Sequence, residues 1–270
     1  MEPDIQEMIR VVREGHRESF REAAEHLVKL GGDALAIVLQ ALAGREGPAE
    51  REEAARALAG SEDPRVPDAM LTALDDRDRH VREVALRFLG RRGVAEAFPR
   101  AEAALADPDW NVREAAVQAC AALAGERVLA RLSAMLADPD PYVREAVAAA
   151  LSGMDPAPCL EALAKAAGDP ESRVRERLAT ALGGATDPRA GDLLDTLSKD
   201  PDSSVRESAL RALGRLGTPK SVDALKAGLL DADARVRDAA GCALRALGVL
   251  PDEVPAAGPP PSETDPPNAR

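Results

Sequence analysis

Aromatic side chains are scarce in this sequence. Only 2% of its 270 residues are Phe, Tyr or Trp, and it has one Trp and one Tyr. A globular core in a chain of this length normally uses more large side chains. The composition therefore favours a fold in which Ala and Leu suffice because each helix packs closely on its neighbours.

Positive charge and long apolar runs are also lacking. The net charge is −12, which argues against a nucleic-acid partner because that binding depends on a basic face. No stretch approaches the ~20 apolar residues of a membrane span, and the first residues do not resemble a signal peptide. The three cysteines form no CxxC motif, as is typical of a reduced compartment. We expect a cytoplasmic protein that contacts neither nucleic acid nor membrane.

Motifs that carry chemistry are absent as well. The three histidines, His16, His26 and His80, are far apart and lack metal-ligand spacing. There is no phosphate-binding G-x-x-x-x-G-K-[ST] loop and no G-x-S-x-G nucleophile elbow. The sequence therefore predicts no catalytic residue, no cofactor and no metal, and we expect that the protein is not an enzyme.

An internal repeat is the strongest feature that is present. A Val-Arg pair recurs at a constant spacing of 31 residues, and such self-similarity is typical of solenoid architectures. A degraded copy lies one step upstream at Arg51, and a slipped copy lies near Phe20. The arginines of the six regular pairs are Arg82, Arg113, Arg144, Arg175, Arg206 and Arg237.

Each repeat reads as a helix, a short turn and a second helix. In one second helix the apolar residues Val112, Ala116, Ala119 and Cys120 fall on one helical face. An aspartate precedes most second helices, where it can cap the free N–H groups of the first turn. These caps are Asp78, Asp109, Asp140, Asp202 and Asp233, with Glu171 as the exception. Glycines are expected to end the second helices, at Gly90, Gly125, Gly153, Gly184, Gly217 and Gly248.

The pattern D-x-D-x-x-V-R-x-x-A-x-x-A-L-G resembles the short HEAT-like repeats of phycobilisome lyases and covers roughly residues 45–248. The resemblance implies an all-α, right-handed α-α superhelix, a HEAT-like α-solenoid of about eight helix pairs. We assign residues 1–250 to this solenoid, with residues 1–44 as degenerate N-terminal cap units. Residues 251–270 are rich in Pro and polar residues, and we predict a disordered tail there.

The resemblance also implies a hydrogen-bonded ladder between neighbouring repeats. In the family, an Asp before the turn pairs with the Arg of Val-Arg, and Arg45 departs from this pattern in an early copy. We interpret the matching residues as structural. They are Asp76, Arg82, Asp107, Arg113, Asp138, Arg144, Asp169, Arg175, Asp200, Arg206, Asp231 and Arg237.

A protein-binding surface is expected on the second helices, which line the concave side of such stacks in this family. Trp110 and Tyr142 stand at outward positions of successive repeats, and Trp and Tyr are common in interface hot spots. An acid follows each ladder Arg, and Glu114, Glu145 and Glu176 lack an Arg four residues on. Each feature also has an explanation without a binding function. The two aromatic side chains could simply pack against the loops at the helix starts, and the acids could form a solvated face that the helix dipoles stabilise. The predicted site comprises Trp110, Tyr142, Glu114, Glu145, Asn111, Gln118, His80 and Arg87.

These observations favour a monomeric, non-catalytic scaffold or adaptor that binds another protein, through a basic segment of that partner. The alternative is an enzyme or enzyme subunit of the bilin lyase-like HEAT family, because those enzymes share this repeat. Deoxyhypusine hydroxylase-like activity is disfavoured, since the His-Glu dipeptides that hold iron in that family are missing here.

Overall fold

The computed structural model describes residues 4–14, 17–44 and 47–249. Within these residues all regular structure is helical and no strand occurs, which confirms the all-α prediction. His16, Arg45 and the predicted tail lie outside the described residues. The chain divides into two compact units, Met1–Val128 and Leu129–Arg270. The prediction of one solenoid over residues 1–250 stays a prediction.

The first unit contains four successive helix pairs. Two of its helices, α7 and α8, adjoin short 3-10 turns. The helices are α1 (Ile5–Glu14), α2 (Arg17–Leu30), α3 (Gly32–Ala43), α4 (Pro48–Leu58), α5 (Val66–Ala73), α6 (Arg79–Arg92), α7 (Phe98–Ala103) and α8 (Trp110–Ala124).

The second unit also contains four pairs, and its first two odd-numbered helices are again short and adjoin 3-10 turns. The helices are α9 (Leu129–Ala134), α10 (Pro141–Leu151), α11 (Leu160–Ala166), α12 (Ser172–Leu182), α13 (Arg189–Leu197), α14 (Ser203–Leu216), α15 (Pro219–Gly228) and α16 (Ala234–Ala246).

Within each unit the helices form two layers. In the first unit the even-numbered helices, here called second helices, pack in the order α2, α4, α6 and α8. In the second unit α10, α12, α14 and α16 pack likewise, while α9, α11, α13 and α15 form the other layer of first helices. Because each second helix packs on the next second helix within its unit, the 31-residue period becomes a regular stacking of helix pairs.

The predicted apolar stripes form the core between the layers. Val112, Ala116, Ala119 and Cys120 are each at most 2% exposed, as the spacing on α8 predicts. Burial raises the pKa of the Cys120 thiol to about 12, so this cysteine is an inert core residue rather than a nucleophile.

The predicted aspartate caps are confirmed at the starts of the second helices. Each accepts a hydrogen bond from the backbone N–H two residues on, whereas Glu171 makes no such bond. The capping aspartates are Asp78, Asp109, Asp140, Asp202 and Asp233.

One predicted helix end is wrong. Gly90 does not end α6 but lies buried inside it. The helix ends at Arg92 and is capped by Gly93, which has a φ of 66°. A Cβ atom at Gly90 would lie 2.8 Å from the Ala119 Cα atom. Gly90 therefore permits the close approach of α6 and α8. At Gly125 and Gly217 the expected glycine cap is present, with φ values of 53° and 60°.

The ladder residues join neighbouring repeats inside each unit. Arg82 donates from Nε and Nη2 to the two carboxylate oxygens of Asp107, both at 2.9 Å. Its Nη1 donates to the backbone oxygen of Asp76, in its own repeat. The other pairs with this two-pronged geometry are Arg51–Asp76, Arg144–Asp169, Arg175–Asp200 and Arg206–Asp231.

Three further ladder residues, Arg113, Asp138 and Arg237, bond to the backbone of the turn before a second helix. Arg113 donates through Nη1 to the backbone oxygen of Asp107 at 3.0 Å. The Asp138 carboxylate accepts the backbone N–H of Asp140 at 2.9 Å. Arg237 donates through Nη1 to the backbone oxygen of Asp231 at 2.8 Å. Each therefore also fixes the turn before a second helix.

The ladder should make the stability of the fold depend on pH in the acidic range. Asp231 is hydrogen-bonded to Arg206, which lowers the pKa of the Asp231 carboxyl, and burial opposes this effect only in part. Burial acts to raise the pKa of Asp76, but hydrogen bonds from Arg51 and the Asp78 N–H outweigh it and leave that pKa lowered. The folded chain thus binds protons less readily than the unfolded chain. Stability is present above the ordinary aspartate pKa of 3.8 and is lost as the pH falls through the lower folded values.

We expect the free energy of unfolding in urea to stay level from about pH 7 to pH 5 and to fall below about pH 4. The Asp231→Asn variant should start less stable and show a shallower acid dependence, because one of the shifted carboxyls is gone. A wild-type unfolding free energy that does not change between about pH 5 and pH 2.5 would contradict this assignment.

Candidate protein-binding surface

The predicted surface residues fall in both units. His80, Arg87, Trp110, Asn111, Glu114 and Gln118 belong to the first unit, and Tyr142 and Glu145 belong to the second. That all eight form one continuous site stays a prediction. The two groups are therefore described separately.

Arg87 is the centre of a polar network between α6 and α8. Its guanidinium donates to Glu83 on its own helix at 3.1 Å. It also donates to Glu114 at 2.5 Å and to Gln118 at 3.0 Å, both on α8. Gln118 in turn donates to Glu114. The outward face of these second helices is therefore tied together across the repeat boundary.

The missing Arg four residues after Glu114 does not leave this acid unpaired. It has no Arg four residues on, but Arg87 reaches it from the preceding repeat because adjacent second helices lie side by side. Glu145 likewise has a cross-repeat partner, since its carboxylate lies 3.6 Å from the Arg177 guanidinium. Glu176 differs from both, because no ion pair involves its carboxylate in the part of the chain that the structure describes.

Glu114 is the acid whose protonation the network affects most clearly. Burial raises the pKa of its carboxyl and the nearby Glu83 adds to this, while Arg87 and Gln118 oppose the rise. Burial of the charged carboxylate costs free energy. Donors on two helices, Arg87 on α6 and Gln118 on α8, offset this cost. We interpret it as a positioned group rather than an exposed charge that awaits a ligand.

The start of α8 is a second polar cluster in the first unit. Trp110 is the first residue of this helix and is partly exposed. The Asp109 carboxylate accepts the Asn111 backbone N–H at 2.9 Å and an Arg79 Nη1 bond at 2.6 Å. Burial acts to raise the pKa of Asp109, but these bonds outweigh it and leave the pKa lowered. His80 lies beside this cluster, and its Nε2 accepts a hydrogen bond from Arg79 at 3.3 Å.

The second unit presents Tyr142 and Glu145 on α10. Tyr142 is 54% exposed, one of few large apolar side chains this accessible in the described chain. Its backbone N–H donates to the cap Asp140 at 2.9 Å. Glu145 follows three residues later, so the ring and the carboxylate lie on the same side of the helix. An aromatic ring next to a carboxylate suits a cationic side chain.

An open groove in the second unit was missed by sequence reasoning. It lies along the first helices α9 and α11, has a volume of about 760 Å³, and is lined in part by Cys159, Glu161, Lys165 and Arg189. Part of its lining, including Gly168 and Pro170, comes from turns whose shape the repeat pattern does not determine. Cys159 is buried, and its thiol lies 3.8 Å from the Leu129 backbone oxygen. Among the described residues, no hydrogen bond joins the Cys159 thiol to an acidic or basic side chain of the groove.

The described residues hold no group of three or more His, Cys, Asp or Glu side chains that could bind a metal ion. Within the same residues, no helix combines the length and the apolar character that a membrane span requires.

Two protein-family models match the repeat region of this chain. A family model described as HEAT repeats matches residues 67–152 and 160–245, which is more than half of the chain. The PBS lyase HEAT-like repeat model matches residues 50–76. No curated protein matches this sequence in a sequence search.

Solved structures of helical repeat proteins are similar to this chain. The CpcE–CpcF complex of phycocyanin lyase from Nostoc sp. is 26% identical, covers 70% of this chain and 80% of its own, and has a TM-score of 0.53. An engineered protein is 22% identical over 93% of this chain and 80% of its own, with a TM-score of 0.59.

A designed armadillo repeat protein in complex with the peptide (KR)4 is 19% identical over 67% of this chain and 98% of its own, with a TM-score of 0.54. At this identity the likeness concerns the fold alone. The repeat pattern, the paired helices and the family match agree, and the chain belongs to the HEAT repeat family.

Proposed function

We propose that this protein is a non-catalytic scaffold whose second helices bind a segment of a partner protein that carries Lys or Arg. The observation that supports it best is an acid at one outward position of successive second helices, close in sequence to the single Trp and the single Tyr. In the second unit these acids are Glu145, Glu176, Glu207 and Asp238.

The ion pairs on this face are ones that a partner could replace. The Glu145–Arg177 contact is 3.6 Å long, and the Arg177 side chain is 49% exposed. Exposed pairs of this kind contribute only about 0–1 kcal/mol. A cationic group from a partner can therefore displace Arg177 at little cost. Glu176 and the exposed Asp238 offer further negative charge on neighbouring helices.

Tyr142 would supply the apolar part of the contact. Its exposed ring is the kind of side chain that dominates interface energetics when it becomes buried. A Lys or Arg above the ring would contact Glu145 one helical turn away, which combines cation–π and charge-assisted interactions. Trp110, at the start of the preceding second helix, is proposed as the corresponding anchor in the first unit.

The fold is compatible with this role. HEAT and armadillo repeat folds commonly bind protein partners, and the designed armadillo protein named above holds a basic (KR)4 peptide. That peptide belongs to the designed protein. It supports the proposal here because this chain combines a similar fold with a net charge of −12.

The test uses a fluorescent (KR)4 peptide and fluorescence anisotropy. Replacing Glu145 with Gln or Tyr142 with Ala should weaken binding about tenfold, since each loss is worth about 1–2 kcal/mol in a desolvated contact. The matched control is Glu161→Gln, which removes the same charge from the first-helix layer and should leave the affinity unchanged. Trp110→Ala tests the anchor in the first unit.

Equal affinities of wild type, Glu145→Gln and Tyr142→Ala would rule out this surface. Equal losses in Glu145→Gln and the Glu161→Gln control would mean that overall charge, rather than a site, attracts the peptide.

A second candidate is a subunit of a lyase-like enzyme. The PBS lyase HEAT-like match at residues 50–76 and the 26% identity to the phycocyanin lyase complex favour it. A scaffold and a chromophore-handling subunit differ in one direct measurement. Protein purified from its native host should absorb beyond the protein band when it carries a bilin, and a scaffold should not.

A further inference from the structure

The acids on the outward face of the second helices take an Arg partner from three positions. The Arg can lie four residues on in the same helix, on the preceding second helix, or on the following one, because these helices lie side by side within each unit. The pairs that show these three positions in turn are Glu207–Arg211, Glu114–Arg87 and Glu145–Arg177.

Glu176 has no Arg at any of the three positions. Thr180 lies four residues on, and the corresponding residues of α10 and α14 are Ala149 and Ser208. The Glu176 side chain is half-buried, and its carboxylate takes part in no ion pair or hydrogen bond among the residues that the structure describes. Its small, uncharged neighbours leave room for a cation from outside the chain.

Arg173, on the same helix, is a cation without a carboxylate partner. It is exposed and forms no ion pair within the described parts of the chain. The equivalent residue of α16 is Arg235, which donates to its own helix cap, Asp233, at 3.4 Å. The cap position of α12 holds Glu171 instead, which makes no side-chain cap bond. The substitution of Glu for Asp at the cap thus coincides with an unpaired Arg173.

The two charges on α12 do not neutralise each other. Arg173 precedes Glu176 by three residues, and no ion pair joins their side chains. A basic residue on the N-terminal side of an acid is the weaker order on a helix, and the helix dipole disfavours a cation in the first turn. The outward face of α12 therefore presents one positive and one negative group, with Cβ atoms about 5–6 Å apart.

An extended segment of mixed charge matches this pair. Side chains two residues apart in an extended chain lie on the same side and are about 6.6 Å apart. A segment with Lys or Arg at one place and Asp or Glu two places away would therefore contact Glu176 and Arg173 together. On the adjacent α10, Tyr142 and Glu145 lie where a further basic residue of the same segment would reach them.

We propose that the partner segment contains an acidic residue among its basic ones, with the acid bound by Arg173 and a Lys or Arg bound by Glu176. This inference rests on the proposed function, because it concerns the same face of the second helices. It adds a requirement that a purely basic segment does not meet. Arg173 thereby selects among basic segments and fixes the register of the one that binds.

The test compares two fluorescent peptides by anisotropy, (KR)4 and KRKRERKR, in which Glu replaces the third Lys. Wild type should bind KRKRERKR at least as tightly as (KR)4, although this peptide carries less positive charge and the protein has a net charge of −12. Arg173→Ala should weaken the binding of KRKRERKR and strengthen that of (KR)4, each about two- to fivefold, as is expected for partly exposed charges. Glu176→Gln should weaken the binding of both peptides.

Two control variants separate a specific contact from overall charge. Lys165→Ala removes an exposed cation from the first-helix layer and should change both affinities by the same factor. Arg173→Lys keeps the charge and should keep most of the preference for KRKRERKR.

Three results would each overturn the inference. They are a wild-type preference for (KR)4, an Arg173→Ala effect that is equal for both peptides, and unchanged affinities in Glu176→Gln. In each case binding of (KR)4 at the Tyr142 and Glu145 surface would leave the proposed function standing. A wild-type protein that binds neither peptide would refute the proposed function and this inference with it.

Discussion

Replacing Asp169 with alanine is expected to lower the free energy of unfolding by about 3–5 kcal/mol. Asp169 accepts two bonds from Arg144, at 2.6 and 3.0 Å, and the pair is almost buried, with side chains 11% and 6% exposed. The variant leaves the Arg144 guanidinium without its counter-charge. It also removes the acceptor of the Glu171 backbone N–H, which fixes the turn before α12.

The measurement is chemical denaturation followed by circular dichroism. The matched control is Glu207→Ala, which removes the i,i+4 partner of the exposed Arg211 and should cost about 0.5 kcal/mol or less. An Asp169→Ala loss no larger than the control loss would show that the ladder adds little to stability and that apolar packing alone holds the repeats together.

Two glycine-to-alanine changes are expected to act in opposite directions. Gly90→Ala places a Cβ atom 2.8 Å from the Ala119 backbone, so α6 and α8 must separate, at a cost of about 1–3 kcal/mol. Gly191→Ala lies inside α13 with no atom within 4 Å of the new Cβ. It should raise stability by about 0.5–1 kcal/mol, because alanine favours the helix and limits the unfolded chain.

The pair of variants separates packing from helix propensity. Both changes add one methyl group to a buried helical glycine, so their propensity gain is equal and only the neighbouring atoms differ. Denaturation midpoints that shift in the same direction for both would mean that the close approach at Gly90 relaxes without cost.

The sequence determined much of the fold because its signals are local and repeated. The cap at Asp140 and the apolar stripe of α8 depend on spacings within one helix, and both were confirmed. The end of α6 was predicted wrongly because Gly90 and Gly93 lie three residues apart and only the neighbouring helix explains why Gly90 is needed. That neighbour is 29 residues away, at Ala119.

The candidate surface was harder to predict because its contacts cross repeat boundaries. Counting four residues along a helix finds Glu207–Arg211 but not Arg87–Glu114, which is 27 residues apart, nor Glu145–Arg177. Each outward side chain has neighbours on the adjacent second helix as well as on its own. A search of all separations within four residues of the 31-residue period would have found both pairs, which are 27 and 32 residues apart.

One atom of the ladder has a consequence for how the repeats come apart. The Oδ1 atom of Asp169 accepts a bond from Arg144 in one repeat and from the Glu171 backbone in the next. The same double use recurs at Asp200 and Asp231. Loss of a turn in one repeat therefore also withdraws an acceptor from the repeat before it. Local openings in the second unit are thus thermodynamically coupled over several repeats, and hydrogen exchange there should show cooperative blocks rather than independent helix pairs.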